Sequence, residues 1–224
     1  MTAEEWQLRR VVVGASGLLY WGGVVIQARR IRKQIGRSPN LRPRGSREKA
    51  LWVGWLIVIL AWIGQPLLVG VTGTTAGLNL MPGLLHPVGL AVGLALVALG
   101  YAGTLWTYAA LGDTWRIGIN ANEKTALVSR GPYRWVRHPI YVLQFVMLAG
   151  AALLLPTPVS FATLATHYLC VRLKAGDEEK YLMTVHGTAY REYLSRTASL
   201  FPRLIQRRSA EKKKEKKVLP GIDF

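Results

Sequence analysis

Cysteine and acidic residues are scarce in this chain of 224 residues. Cys170 is the only cysteine, so no disulfide within the chain is possible. Because it lies in an apolar run, we expect a buried, unreactive thiol. Only 12 acidic residues stand against 29 lysines and arginines, which gives a formal net charge of +17, while half of all residues are hydrophobic. This combination is unusual for a soluble globular protein.

The basic residues are clustered between positions 29 and 49 and between 203 and 217, with long uncharged runs elsewhere. A nucleic-acid-binding protein carries its basic residues on a folded, mixed surface and has no need of runs long enough to cross a membrane. The pattern therefore favours a membrane protein, and we expect no nucleic acid among its partners.

Four apolar blocks are candidate membrane spans, at 11–28, 51–71, 84–111 and 140–171. A helix needs about 20 residues to cross a hydrocarbon core of about 30 Å, so the first three blocks fit one span each. The fourth block is too long for one crossing, and Pro156 and Pro158 favour a turn at its middle. We predict two helices, about 140–155 and 159–172, that form a hairpin.

The predicted fold is therefore an all-α integral membrane protein. It has about five transmembrane helices, including the C-terminal hairpin, followed by cytoplasmic C-terminal helices. We divide it into N-terminal transmembrane helices with a basic loop (1–99), a core (100–204) and a basic tail (205–224) attracted to anionic lipid. Whether the tail is ordered and whether the protein forms oligomers both stay open.

Loop charges predict the orientation, because short cytoplasmic loops collect lysine and arginine. The segment 29–49 holds nine basic residues against one acid, whereas the segment 72–87 has no charged residue. We therefore expect a multi-pass protein of the cell (inner) membrane, with 29–49, 112–139 and everything after 172 in the cytoplasm. Glycines within the spans, such as Gly100 and Gly103, indicate close helix packing rather than a cofactor role.

Polar residues precede the hairpin in "SRGPYRWVRHPIYVLQ" (129–144). Such arginines can simply anchor a helix at the membrane boundary. However, Glu178 and Glu179 follow the last apolar residue of the hairpin, where acids oppose the positive-inside trend. Because the hairpin returns the chain to its starting side, we expect them to lie close to Arg137 and His138.

Neighbouring positions on a helix point about 100° apart. We therefore expect Glu178 and Glu179 to face different partners, one an arginine of the segment 130–137 and the other a bound cation. Two exposed acids on a solvated helix remain the alternative.

These motifs resemble a known family. "GPYRWVRHPIY", a helical hairpin, Glu178 and Glu179 with Leu182, "YREY" and a terminal "FPR" are similar to the membrane superfamily of isoprenylcysteine carboxyl methyltransferases and phospholipid N-methyltransferases. The upstream "LGDTWRIGI" (111–119) and "LVSRGPYR" (127–134) resemble its prokaryotic, isoprenylcysteine-type branch. The resemblance covers about 100–204.

The resemblance implies S-adenosylmethionine as methyl donor in a cytoplasm-facing pocket, with no metal. The residues that it assigns to the cofactor are Tyr133, Val136, His138, Tyr141, Glu178 and Glu179. Arg134 and Arg137 are its candidates for binding a substrate carboxylate or headgroup. Tyr190 and Tyr193 would help to close the pocket, although tyrosines at a membrane interface are an equal alternative.

The chain departs from the family pattern at several positions. Leu143 stands where a glycine is common, and His186 replaces a frequent phenylalanine before Gly187. Lys174 stands where the family usually has an arginine, while Arg172 lies nearby. Which of these two basic residues contacts substrate therefore stays open.

The function that we predict is methylation of a lipophilic or prenylated acceptor, with an isoprenylcysteine-like carboxylate favoured. The alternative is N-methylation of a phosphatidylethanolamine-type phospholipid, which needs a base such as His138 or a glutamate. Two further alternatives are a sterol-reductase-like membrane enzyme that uses a nicotinamide dinucleotide, and a non-catalytic scaffold that binds anionic lipids. Membrane lipids are expected partners in each case.

Overall fold

The computed structural model describes residues 2–36, 45–70, 76–115 and 126–202, and these residues form helices and turns without a β-strand. The helices are α1 (Ala3–Ile35), α2 (Ser46–Leu68), α3 (Pro87–Leu111), α4 (Pro139–Leu154) and α5 (Pro158–Arg196). Short 3-10 turns lie at Ala76–Leu78, Pro82–Leu84, Gly112–Thr114 and Gly131–Arg134. The predicted all-α architecture is confirmed for the described residues.

The local sequence explains where several helices begin. Proline occupies an early position of α3, α4 and α5, where its missing N–H costs no helical hydrogen bond. The side chain of Thr2 accepts a hydrogen bond from the Glu5 N–H at 3.1 Å. Thr157 does the same for Ser160 at 3.1 Å. Both threonines are therefore N-caps.

Apolar helices dominate the structure. Ala3–Ile35, Ser46–Leu68 and Pro87–Thr114 are long and apolar enough to cross a membrane, and Pro139–Leu154 is a shorter apolar helix. Large side chains such as Ile26, Leu60 and Leu99 are more than 60% exposed on the outside of the bundle. Such an exposed apolar surface is typical of a protein embedded in lipid. The count of five spans and their orientation stay predictions.

The hairpin forms as predicted, but its second arm is longer. α4 and α5 pack against each other across a short connection. Instead of ending near residue 172, α5 continues to Arg196, with a kink at Gly187 (φ 52°, ψ −118°). The charged segment after the apolar arm is rich in good helix formers such as Leu173, Lys174 and Ala175, so the loss of apolarity does not end the helix.

Two ion pairs place the start of α2 beside the polar part of α5. Arg47 Nε lies 3.1 Å from Asp177 Oδ2, and Lys174 Nζ lies 3.8 Å from Glu48 Oε1. The start of α4 lies at this same end of the bundle, because His138 contacts Glu178 and Glu179. The start of α2 therefore lies at the end of the bundle that carries His138, Glu178 and Glu179.

Glycine allows α3 and α4 to approach closely. A Cβ atom added at Gly100 would lie 2.8 Å from the Leu143 carbonyl oxygen, and one at Gly103 would lie 2.5 Å from Leu143 Cδ2. The predicted packing role of these glycines is confirmed. Leu143, which departs from the family pattern, fills the space that Gly103 leaves.

Cys170 is a buried free thiol, as predicted. It packs on α2, where a Cβ atom added at Gly54 would lie 2.5 Å from its sulfur. The predicted tail 205–224, the middle of the basic loop and the 116–119 part of the "LGDTWRIGI" motif lie outside the described residues. The division into three regions stays a prediction.

Candidate functional site

The chain segments before α4 and after α5 lie side by side. Val136 forms a parallel bridge with Ala198. The backbone N–H of Arg137 donates to the Ala198 carbonyl at 2.8 Å, and that of His138 donates to the Ser199 carbonyl at 3.2 Å. The segment that follows α5 therefore holds the Arg137 and His138 backbone in place.

His138 lies between the two neighbouring glutamates of α5. Its Nδ1 is 3.2 Å from Glu178 Oε2, and its Nε2 is 3.2 Å from Glu179 Oε1. The predicted proximity of the glutamates to His138 is confirmed, but the expectation that they cannot both face one partner is wrong, because they share His138. The imidazole has a nitrogen on each side, so two flexible carboxylates that leave the helix in different directions both reach it.

Glu179 is held by three donors on one oxygen. Arg137 Nε donates to Oε1 at 3.0 Å, Ser199 Oγ donates to it at 2.6 Å, and His138 Nε2 is the third group. Arg137 also donates through Nη1 to the Thr197 carbonyl. Arg137 therefore links Glu179 to the end of α5. This confirms the expectation that one glutamate pairs with an arginine of the segment 130–137.

Glu178 has a separate set of partners. The Tyr141 hydroxyl donates to Glu178 Oε1 at 2.7 Å, and the Tyr141 ring stacks on His138 with a centroid distance of 5.7 Å. The side chains of Glu178 and Glu179 are 21% and 22% exposed, whereas His138 is 5% exposed. We call these residues the glutamate cluster: Arg137, His138, Tyr141, Glu178, Glu179 and Ser199. The cluster is mostly enclosed but keeps both carboxylates partly accessible.

The charges of the cluster stabilise one another. Burial alone would raise the pKa of Glu179, but hydrogen bonds from its three donors outweigh burial and lower the pKa to about 2. Burial opposes ionisation of Glu178 as well, yet its contacts with His138 lower its pKa below the ordinary value. Burial lowers the pKa of His138, but the two carboxylates outweigh it and raise the pKa above 6.5. Both glutamates are thus anionic at neutral pH, and the imidazolium is favoured.

The remaining predicted residues are Tyr133, Val136 and Arg134. The Tyr133 carbonyl accepts a hydrogen bond from the Tyr193 hydroxyl at 2.6 Å, and Val136 is buried. Arg134 is exposed, and its guanidinium lies 4.9 Å from the centroid of the Trp135 ring. The structure thus brings Arg137, but not Arg134, to the glutamate pair.

Sequence reasoning missed two residues of this region. Ser199 binds Glu179, yet it lies in an ordinary polar stretch with no motif to indicate a role. Trp55 of α2 lies with its ring centroid 6.0 Å from that of Tyr141 and 5.1 Å from that of His167. An apolar run gives no signal that singles out this tryptophan.

A small, shallow apolar groove adjoins the cluster. Its lining includes Tyr141, Val142, Phe145, Leu200 and Phe201. Tyr141 joins the two regions, because its ring lines the groove while its hydroxyl binds Glu178. Within the described ranges, no group of three or more His, Cys, Asp or Glu side chains is arranged to hold a metal ion.

Comparison with known proteins gives matches to the part of the chain that contains this cluster. Residues 88–189 match the family model described as phospholipid methyltransferase. This segment runs from the start of α3 beyond Glu179 and contains every residue predicted to bind cofactor or substrate.

Three curated relatives cover parts of the chain. A nickel-cobalt-cadmium resistance protein, NccN, of Alcaligenes xylosoxydans xylosoxydans is 31% identical over 114 residues, which is 50% of this chain and 53% of that protein. Methanethiol S-methyltransferase of Crocosphaera subtropica is 33% identical over 82 residues, 36% of this chain and 31% of that protein. Protein-S-isoprenylcysteine O-methyltransferase A of Arabidopsis thaliana is 35% identical over 89 residues, 38% of this chain and 44% of that protein.

The chain spans about half the length, or less, of these curated relatives. Two of the three are named as methyltransferases, one for a thiol and one for an isoprenylcysteine. Together with the family match, they agree with the resemblance carried by the "GPYRWVRHPIY" segment and the glutamate pair. Residues 88–189 are therefore similar to the phospholipid methyltransferase family, in agreement with the membrane methyltransferase superfamily that the motifs predict.

Proposed function

We propose that this chain is an integral membrane methyltransferase that uses S-adenosylmethionine and methylates a lipophilic, already ionised acceptor. An isoprenylcysteine-like carboxylate is the favoured acceptor. The observation that carries this proposal is the pair of partly exposed carboxylates, Glu178 and Glu179, fixed around His138 inside the methyltransferase-family domain.

The residues of the cluster fit a positively charged methyl donor. When bound, S-adenosylmethionine supplies a methyl group on a cationic sulfur. Glu178 and Glu179 carry negative charge that favours such a cation, and both side chains keep about a fifth of their surface accessible. The described donors to Glu179 all reach Oε1, which leaves Oε2 for a ligand. These two glutamates, with Tyr141 and His138, would hold the donor.

The fixed geometry of the cluster supports a displacement reaction. Methyl transfer requires the acceptor, the methyl carbon and the sulfur to lie in line, so the protein has to limit their freedom. Arg137 and Ser199 fix Glu179, and Tyr141 fixes Glu178. The adjoining groove gives the cluster an apolar flank, formed by side chains such as Val142, Phe145 and Phe201.

The position of His138 favours an acceptor that needs no base. Both ring nitrogens face carboxylate oxygens, which outweigh burial and raise the pKa of His138. In its imidazolium form the ring donates on both sides and has no lone pair left to accept a proton. A carboxylate acceptor is already ionised near neutral pH, whereas the ammonium of phosphatidylethanolamine must first lose a proton. The phospholipid alternative therefore requires a glutamate as base.

We also propose that the site faces the cytoplasm. The start of α2, the start of α4 and the polar part of α5 lie at one end of the bundle. Arg47, a described basic residue at the start of α2, lies at this same end, and short loops rich in lysine and arginine stay on the cytoplasmic side. Five spans in the cell membrane, with the hairpin as the last two, agree with this arrangement.

Calorimetry of the detergent-purified chain with S-adenosylmethionine tests the donor, and a nicotinamide dinucleotide titration tests the reductase alternative. Transfer of labelled methyl groups to prenylcysteine analogues, phospholipids and small thiols then tests the acceptor. Donor binding with transfer to a prenylcysteine supports the proposal. Binding of the dinucleotide but not of the donor would sink it, and a non-catalytic scaffold would bind neither.

A further inference from the structure

Two tyrosines lie just beyond the kink of α5, and only one has a hydrogen-bond partner among the described residues. The rings of Tyr190 and Tyr193 pack with centroids 5.9 Å apart. The Tyr193 hydroxyl donates to the Tyr133 carbonyl at 2.6 Å. Tyr190 is 0% exposed, yet its hydroxyl finds no partner within the described part of the chain.

A buried hydroxyl without a partner is unfavourable. It loses its hydrogen bonds to water on folding, and no protein group among the described residues replaces them. Phenylalanine would fill the same space without this cost, so the tyrosine does not improve the folded state. Such a group in a native structure calls for an explanation, and a ligand is one.

Tyr190 lies within reach of the charges of the glutamate cluster. Burial and the negative charge of Glu179 raise the pKa of Tyr190 far above its ordinary value, while Arg137 acts in the opposite direction. The hydroxyl is therefore protonated at neutral pH and available as a donor. Hydrogen bonds to anionic oxygens are the strongest that a neutral donor makes.

We propose that Tyr190 is a ligand-binding residue of this site, whose hydroxyl donates a hydrogen bond to a carboxylate of the bound ligand. The inference rests on the proposed function, because the carboxylate belongs to the methionine part of the donor or to the acceptor. The carboxylates of Glu178 and Glu179 have their own donors, and Arg137 supplies a positive charge near the hydroxyl.

Tyr190 lies on the part of α5 that follows the kink at Gly187. The backbone there has φ 52° and ψ −118°, which only glycine adopts without strain. No atom lies within 4 Å of a Cβ added at Gly187. Gly187 therefore allows α5 to change direction, and the segment beyond it is held against the backbone before α4 by the hydrogen bond from Tyr193 to the Tyr133 carbonyl.

The test compares Tyr190→Phe with Tyr193→Phe in the full chain, each purified in detergent. For Tyr190→Phe, we expect an unchanged or higher melting temperature without ligand, because the unpaired hydroxyl is removed. For Tyr193→Phe, we expect a lower melting temperature, because the Tyr133 carbonyl loses its donor. A melting temperature that falls equally in both variants would contradict the inference, since it would indicate a structural role for both hydroxyls.

Ligand binding gives the second readout. If the carboxylate is that of the donor, Tyr190→Phe raises the Kd for S-adenosylmethionine about tenfold or more, the effect expected for a lost hydrogen bond to a charged group. The Kd for decarboxylated S-adenosylmethionine is then the same in wild type and variant. If the carboxylate is that of the acceptor, the donor Kd is unchanged and the KM for a prenylcysteine acceptor rises instead.

These measurements distinguish the role of Tyr190 from the proposed methyltransferase function. Equal donor Kd and equal acceptor KM in wild type and Tyr190→Phe would overturn the role of Tyr190 and leave the proposed function intact. A wild-type protein that binds no S-adenosylmethionine overturns the proposed function and the role of Tyr190 together.

Discussion

His138 Nε2 lies 3.2 Å from Glu179 Oε1, although the two residues are separated by 41 positions in the sequence. The contact joins the start of α4 to the polar part of α5, and it forms because the hairpin brings the chain back to the end where α4 begins. The same imidazole contacts Glu178 through its other nitrogen. His138 therefore contacts both carboxylates and helps to hold the start of α4 against α5.

Replacing Glu179 by glutamine tests this connection. The amide keeps the shape of the side chain, but its neutral oxygen accepts the three donors more weakly, and its NH₂ group cannot accept at all. We expect a loss of about 1–3 kcal/mol in the free energy of unfolding and a weaker Kd for S-adenosylmethionine. Thermal unfolding and calorimetry in detergent measure the two effects.

Glu192→Gln is the matched control for this variant. Glu192 also lies on α5, but its side chain is 69% exposed and pairs with Arg196, so the expected change is below about 1 kcal/mol. If Glu179→Gln behaves like Glu192→Gln in both measurements, the cluster does not hold the site together.

Stability should depend on pH in two windows. Glu179 has a folded-state pKa of about 2, below its ordinary 4.5, so its contribution is present above about pH 4.5 and is lost as pH falls toward 2. His138 has a folded-state pKa raised above 6.5, so its contribution is complete below pH 6.5 and is lost as pH rises through the folded pKa. We therefore expect the melting temperature to fall above pH 6.5.

His138→Gln isolates the alkaline window. The variant lacks the group that releases a proton, so its melting temperature should vary less between pH 6.5 and 9 than that of the wild type. If the melting temperature changes equally with pH in the two proteins over this range, the pKa of His138 does not rise on folding.

Packing of α3 on α4 gives a separate test. A Cβ atom at Gly103 would lie 2.5 Å from Leu143 Cδ2, so Gly103→Ala should push the helices apart and destabilise the fold by about 1–3 kcal/mol. Adding Leu143→Ala removes the clashing atoms and should restore part of the loss. Gly64→Ala on α2 is the control, because no atom lies within 4 Å of its added Cβ. A double variant no more stable than Gly103→Ala alone would disprove this pairing.

Much of the fold follows from the sequence because lipid imposes strong rules on helix length. The apolar blocks predicted where the helices lie, and the proline pair predicted the hairpin. The glycines predicted the close contact of α3 with α4. The end of α5 was not predictable in the same way. Polarity rises after residue 172, but most residues between there and Gly187 are good helix formers despite Gly176, so hydropathy alone marks the wrong boundary.

The site was predictable where chain topology decides proximity and unpredictable where side-chain reach decides it. A hairpin requires Glu178 and Glu179 to return to His138, and they do. The 100° difference between adjacent helix positions describes Cα–Cβ directions, however, and a glutamate has enough rotatable bonds to turn back toward a shared partner. Ser199 was missed for a related reason, since its contact depends on how the chain folds back after α5.

The opposite end of the bundle depends on Arg9, whose side chain is 0% exposed. Its guanidinium donates to the Leu154 carbonyl at 3.1 Å, to the His86 carbonyl at 3.4 Å and to Glu5 at 2.8 Å. Arg9 thus ties α1 to the end of α4 and the start of α3. Arg9→Met should lower the free energy of unfolding by about 3–5 kcal/mol, because the carbonyls and Glu5 lose their partner.

Substitutions at the two ends of α4 should nevertheless affect different properties, stability at the Arg9 end and ligand binding at the His138 end. Arg9 lies at the far end of α4 from His138, so the Kd for S-adenosylmethionine should be unchanged in Arg9→Met at a temperature where the variant is folded. Arg10→Met is the control: Arg10 donates to the Pro66 carbonyl at 2.8 Å but is only partly buried, so a smaller loss of melting temperature is expected. A weaker binding of S-adenosylmethionine in Arg9→Met but not in Arg10→Met would mean that the far end of α4 controls the position of His138. The contacts around His138 would then not be enough to hold the site.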